Sequence, residues 1–102
     1  MANVFKNYTS EDIGTTETTV YTVPASTTAV LLGCNLANVT ASQIKVTVAL
    51  GTTVIVKDAP IPAGSALGIL DGKIIAETAD TVKVTSDTAT SVDVVLSVME
   101  QS

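Results

Sequence analysis

The chain contains no histidine and no tryptophan, and its 102 residues include only two tyrosines, one phenylalanine and one cysteine. Without histidine it lacks the most common general base, the most common zinc ligand and every triad built on an imidazole. The aspartates fall mostly at turns and lack the spacing of a calcium loop, and no glycine-rich spacing forms a phosphate-binding loop. We therefore predict no catalytic residue, no metal and no cofactor, and a protein that is not an enzyme.

Cys34 is the single cysteine, so no internal disulfide can form. It lies in an apolar segment, where a free thiol is expected to be a small core residue.

The N-terminal sequence has neither the charged and apolar regions of a signal peptide nor the pattern of a transit peptide, and no run approaches the length of a membrane span. We expect a protein made in a cytoplasm, and kept there or assembled there into something larger.

Basic residues are also scarce. The chain has five lysines and no arginine against ten acidic residues, which gives a net charge of −5 and a pI near 4.2. A nucleic-acid interface needs a basic patch that releases counterions from phosphates. The charge therefore argues against nucleic acid as a partner. It is consistent with a solvated acidic surface that keeps a small domain soluble.

Threonine and valine are abundant, and hydrophobic residues make up 46% of the chain although aromatics make up 3%. Branching at Cβ suits a pleated sheet and disfavours helix, so aliphatic strands must supply the core. Short strands alternate with turn signals along one domain-sized chain. We predict an all-β antiparallel β-sandwich of about eight short strands, for which a jelly roll is one possible connectivity. Residues 1–17 form an N-terminal strand or extended arm, and residues 18–102 form the sandwich.

The stretch from Thr53 to Ile75 is predicted to be the frame on which the other strands pack. Pro60 and Pro62 lack N–H donors, so the chain near Ile61 is expected to run at a sheet edge or to leave the sheet there. Asp71-Gly72 is typical of a two-residue hairpin turn. Val54 and Val56 are expected to point inward.

Outside this stretch, alternating apolar residues predict further strands. The segments 29–38 and 43–50 are predicted to pair as antiparallel neighbours, with Val30, Leu32, Cys34 and Leu36 inward in the first. The last strand is apolar on both faces, which indicates a central strand or an interface. The predicted strands are 18–23, 29–38, 43–50, 81–86 and 92–100.

Apolar residues on faces expected to be solvated are the one positive functional signal. Several of them on one sheet face would form a patch suited to subunit association, whereas the second sheet could instead cover some of them. Two aromatics near the N-terminus either cap their own core or reach a neighbouring subunit. The candidate interface consists of Phe5, Tyr8, Leu31, Ile55, Val95 and Met99.

The successions TTVYTVPASTTAVLLGCNLANVTAS, KDAPIPAGSALGILDGKIIAETADTVKVTSDT and SVDVVLSVMEQS resemble small β-sandwich structural proteins of tailed bacteriophage virions. The resemblance spans residues 18–100. It implies a non-enzymatic particle protein that binds the capsid or the tail, with no catalytic residues to carry over. Within this class a capsid decoration or cement protein is favoured by the small size and the lack of fibre repeats.

The same resemblance implies the major capsid protein as partner and the capsid surface as location, with a homo-oligomer, preferably a trimer, because several copies raise weak contacts to useful avidity. A tail, neck, baseplate or fibre component of the virion is the alternative. A carbohydrate-binding module for host attachment is another class, although sugar-stacking aromatics are limited to Phe5, Tyr8 and Tyr21.

Overall fold

The computed structural model describes residues 3–70 and 72–102, and over these ranges the regular structure is entirely β. No helix among the described residues has the length and apolar character to cross a membrane. The nine strands of the described chain are β1 (Asn3–Ile13), β2 (Thr18–Thr22), β3 (Thr28–Asn38), β4 (Ile44–Leu50), β5 (Thr53–Ile61), β6 (Ala66–Gly68), β7 (Ile74–Ala76), β8 (Thr81–Ser86) and β9 (Val92–Gln101).

The strands form two antiparallel sheets. The front sheet has the order β1-β9-β3, with β6 and β7 both paired to the other side of β3, and the back sheet has the order β2-β8-β4-β5. The pairs β4–β5, β3–β6/β7, β2–β8 and β1–β9 are nested along the chain, as in one long hairpin rolled up so that its strand pairs alternate between the sheets. This is the arrangement of a jelly roll, with β6 and β7 sharing one strand position. The predicted antiparallel β-sandwich is confirmed.

The core lies between the sheets and is aliphatic. Side chains alternate along the strands, so that every second residue of β9 from Val92 to Glu100 points inward. The back sheet contributes alternating residues of β4 and β8. The largest fully buried side chains are Leu31, Leu36, Ile44, Ile61, Leu96 and the valines at 46, 48, 82, 84, 92, 94 and 98.

The central strand of the front sheet is β9, which pairs with both β1 and β3 over most of its length. Of the two alternatives predicted for the last strand, a central position or an interface, the structure has the central position. The stretch from Thr53 to Ile75 is not the frame of the fold, since β5 is the edge of the back sheet and β6 and β7 form an edge of the front sheet. Pro60 does lie on an edge strand, where a missing N–H costs no ladder hydrogen bond.

Two predicted pairings differ from the structure. Strands β3 and β4 lie in different sheets, because the loop between them crosses over the sandwich instead of forming a hairpin. The predicted Asp71-Gly72 turn lies partly outside the described residues, since Asp71 is not among them. The strands on either side of it, β6 and β7, each pair with β3.

Register shifts explain the errors in predicted side-chain direction. In β3 the shift between Leu31 and Gly33 reverses the alternation, so Leu31 is buried while Leu32 is exposed. In the β4–β5 pair, two shifts leave Val54 exposed instead of inward. Regular alternation holds again beyond each shift.

The N-terminal segment is a strand of the front sheet. From Asn3 to Ser10 it pairs with β9 in unbroken register, and the register shifts before Ile13. Within the range predicted to be a strand or an extended arm, residues 3–13 form a strand that folds onto its own sandwich.

Candidate functional site

The outer face of the front sheet is apolar along one full row. The register aligns Phe5 of β1 with Met99 of β9, Met99 with Val30 of β3, and Val30 with Ile75 of β7. Paired residues point to the same side of a sheet, so these four side chains form a continuous line across it. Phe5 is 72% exposed and Ile75 56% exposed at the two ends of the line.

Further apolar residues extend this row along the sheet. Leu32 is exposed because the register shift in β3 turns it outward, and Val95 is exposed on β9. A shallow groove of about 300 Å³ opens beside them. Its lining residues are Phe5, Lys6, Asn7, Leu32, Ser97 and Val98. We call the set of Phe5, Val30, Leu32, Ile75, Val95 and Met99 the apolar face. The other outward positions of the front sheet are mostly small or uncharged polar residues, such as Asn7, Asn35 and Ser97.

Charge is nearly absent from this face. Among the described residues that the register places there, one is charged, namely Asp93 opposite Ala37. Its carboxylate accepts a hydrogen bond from the backbone N–H of Asp12 at 2.9 Å, which ties it to the end of β1. The centre of the face therefore presents no charge to a partner.

The outer face of the back sheet has a different composition. Its outward positions are largely threonine and lysine, as expected for a solvated sheet face. They include Thr19, Thr22, Lys45, Thr47, Thr81, Lys83 and Thr85. Ala49, Val54 and Pro60 are the apolar exceptions on this face, and lysines lie among them. The front sheet has instead a row of large apolar side chains without lysine, and this difference selects the apolar face as the candidate site.

The structure brings together three of the six predicted interface residues, Phe5, Val95 and Met99, on the apolar face. Leu31 is only 1% exposed and belongs to the core, which is the alternative that the sequence left open for these residues. Ile55 lies half-buried on β5 of the back sheet, and Tyr8 points into the sandwich. The six residues therefore do not form one surface.

Sequence reasoning missed Val30, Leu32 and Ile75. Val30 and Leu32 were assigned to the inner face because alternation was extended through the register shift, which leaves no clear mark in the sequence. For Ile75 the sequence predicts only a position at the end of the stretch from Thr53 to Ile75. Its pairing with Val30 depends on β7 lying beside β3, a long-range contact that local patterns do not reveal.

Beneath the edge of the front sheet lies a buried polar cluster centred on Glu100. Its Oε2 accepts hydrogen bonds from the Tyr21 hydroxyl at 2.6 Å and the Tyr8 hydroxyl at 2.8 Å. Its Oε1 lies 3.1 Å from the Lys6 ammonium. The rings of Tyr8 and Tyr21 are 4.3 Å apart, between centroids, and tilted by 32°. The cluster joins β1 and β9 of the front sheet to β2 of the back sheet.

The cluster favours the ionised carboxylate. The Tyr21 hydrogen bond, together with those of Tyr8 and Lys6, holds the pKa of Glu100 below its ordinary value despite burial. Burial and the carboxylate raise the pKa values of both tyrosines, and the carboxylate raises the pKa of Lys6. Glu100 thus accepts from three donors, and its ionised carboxylate carries no proton to donate. We interpret the cluster as a structural connection between the sheets.

Cys34 points into the core, and burial raises the pKa of its thiol to about 11. Such a thiol is a poor nucleophile at neutral pH because little of it is ionised. Among the described residues, no group of three or more His, Cys, Asp or Glu side chains is arranged to hold a metal ion.

Comparison with known proteins shows similarity at the level of the fold. No protein-family model matches the chain, and no curated protein matches it significantly. The chain is similar to a solved structure from work on Bacillus endospore appendages, described as a novel family of disulfide-linked pili. The TM-score is 0.55 at 15% sequence identity, over 98% of this chain and 88% of the other. The similarity thus extends over the whole sandwich.

Proposed function

We propose that this chain is a non-enzymatic structural subunit that docks onto a larger particle through its apolar face. The observation that carries the proposal is the apolar row from Phe5 to Ile75, which crosses the whole front sheet. A contiguous apolar surface on a small soluble domain is typical of a protein–protein interface. The absence of charge at its centre fits the composition of interface cores.

Within this class we propose a capsid decoration protein of a tailed bacteriophage, seated on the shell formed by the major capsid protein. The resemblance of residues 18–100 to small virion sandwich proteins supports this choice, and so does a compact domain with one apolar side. The protein would be made in the host cytoplasm and located on the capsid surface. In a tail, neck or baseplate position the chain would dock through the same face, but each virion would hold fewer copies than a decorated capsid does.

A subunit of a fibre is the second candidate, favoured by the similarity in fold to a pilus structure. The single cysteine limits how such a fibre could be linked. A chain joined to two neighbours by disulfides needs at least two cysteines, and Cys34 is buried in the core. Disulfides between successive subunits would therefore not hold a fibre of this chain together.

The structure offers less support for carbohydrate binding. Sugar rings stack on exposed aromatic faces. Tyr21 is only 3% exposed, and the hydroxyl of Tyr8 is bound to Glu100. Phe5 is the one aromatic ring that remains freely exposed among the described residues.

The docking proposal is tested with an Ile75→Lys variant, which places a charge at the exposed end of the apolar row. We expect binding to undecorated capsid shells to weaken by more than roughly 10-fold, because an unpaired ammonium would have to leave water at the interface. Co-sedimentation of the variant with purified shells measures the loss. Ile75 is an exposed edge residue, so the thermal stability of the isolated chain should be unchanged.

The matched control is Thr22→Lys, which makes the same change of charge at an exposed position on the outer face of the back sheet. It should bind as the unmodified chain does. Equal binding by both variants would show that the apolar face is not the docking surface. Loss of binding by the Thr22 variant alone would assign docking to the polar face.

A further inference from the structure

The four edges of the two sheets differ in how well they are protected. An open edge strand presents unpaired N–H and C=O groups, and proteins usually disrupt such edges with short strands, prolines or bulges. Three edges carry these features: β2 has five residues and a register shift, β5 contains Pro60 and two register shifts, and the β6–β7 edge consists of two strands of three residues each.

The fourth edge, β1, has none of these three features over its first eight residues. Its one charged side chain there, Lys6, is bound to Glu100 of the same chain. From Asn3 to Ser10 it runs in unbroken register with β9 and contains no proline or glycine. Among the described residues, β9 is the only strand that pairs with β1. Val4 and Phe5 are exposed on opposite faces of the strand. Its open side therefore combines a straight hydrogen-bonding edge with apolar side chains above and below.

We propose that β1 pairs antiparallel with β1 of a second copy of this chain across a two-fold axis, which joins the two front sheets into one continuous sheet. Strand addition at an open edge is a common mode of association because main-chain hydrogen bonds supply the affinity. A two-fold pairing is self-complementary, so one patch serves both copies. It also extends the apolar face of one copy into that of the other.

The register follows from side-chain direction and charge. Residues paired across the axis must point to the same face, so their numbers must have the same parity. A register centred on Lys6 would oppose two lysines. A register centred on Asn7 instead pairs Asn7 with Asn7 of the second copy, and Phe5 with Thr9, and it spans the regular part of the strand.

The charges along β1 favour a second copy in the antiparallel direction. Lys6 lies in the first half of the strand, whereas Glu11 and Asp12 lie at its other end. In the antiparallel register centred on Asn7, Lys6 lies opposite Tyr8 of the second copy and three residues from its Glu11. In-register parallel pairing would instead oppose Lys6 to Lys6 and Glu11 to Glu11. Pairing through β1 gives a dimer, in place of the trimer that the resemblance implies.

The test is disulfide trapping with an Asn7→Cys variant in a Cys34→Ala background. Residues directly opposed in antiparallel strands have Cα atoms about 4.5–5.5 Å apart, which is within the range of a disulfide. We expect mild oxidation to convert the variant to a covalent dimer. Thr22→Cys in the same background is the control, since Thr22 is also exposed but lies on the back sheet, and it should stay uncrosslinked.

Sedimentation velocity of Asn7→Lys provides a second readout that needs no cysteine. The substitution opposes two ammonium groups on the axis and should raise the dimer dissociation constant by up to roughly fivefold. Thr22→Lys should leave it unchanged. A monomeric or trimeric unmodified chain would overturn the proposal, as would trapping that is no better at Asn7 than at Thr22. Ile75→Lys, at the far edge of the sheet, should leave the dimer intact, so self-pairing and docking can fail separately.

Discussion

The Leu96→Ala substitution is expected to lower the free energy of unfolding by about 3–4 kcal/mol. Leu96 is fully buried on β9, the central strand of the front sheet, with Tyr8 and Cys34 as its register partners on β1 and β3. The packing on both sides is fixed by paired strands, so the cavity left by the missing atoms can collapse only in part. Urea unfolding followed by circular dichroism measures the change through the shift of the midpoint.

Val95→Ala is the matched control, one residue earlier on the same strand. Val95 points outward on the apolar face, so its truncation should change the stability of the isolated chain by no more than about 0.5 kcal/mol. A similar loss from both substitutions would contradict the inward and outward assignment of β9. The core and the candidate interface both rest on that assignment.

The second large effect is expected for Glu100→Ala, which should lower the free energy of unfolding by about 2–3 kcal/mol. The substitution leaves the hydroxyls of Tyr21 and Tyr8 without their shared acceptor. It also opens space between the sheets. Thermal unfolding measures the loss. The matched control is Glu17→Ala, since Glu17 is exposed and lies 3.9 Å from Lys83, and its loss should cost at most about 1 kcal/mol.

The dependence of stability on pH provides a further check of the Glu100 prediction. The pKa of Glu100 is lowered in the folded chain, so the contribution of the carboxylate is complete above the unfolded-state pKa of about 4.3. It is lost as the pH falls through the lower folded-state value. The unmodified chain should therefore lose more stability than Glu100→Ala does on acidification below about pH 4.3. Parallel pH profiles would contradict the role of the cluster.

Much of the fold could be predicted from the sequence because local patterns carry it. The alternation of Ile44, Val46 and Val48 shows which side chains of β4 point into the core. The apolar residues on both faces of β9 indicate a strand at the centre of a sheet. The scarcity of aromatics and the abundance of β-branched residues indicate a sandwich with an aliphatic core.

The candidate site was less predictable because it depends on contacts between distant strands. The row from Phe5 to Ile75 joins four strands, and no short segment contains more than one of its members. The register shift near Leu32 also exchanges the faces of Leu31 and Leu32, which alternation alone cannot detect. The Glu100 cluster was missed for a similar reason, since Tyr8 and Tyr21 reach it from strands far away in sequence.

The central claim, that this chain is a structural subunit of a virion, is tested most directly by its copy number in purified phage particles. Quantitative mass spectrometry gives the number of copies relative to the major capsid protein. A capsid decoration protein should be present in numbers comparable with the capsid protein, and particles without it should be less stable to heat. Numbers far below this would move the chain to the tail or baseplate. Its absence from purified particles would contradict the account.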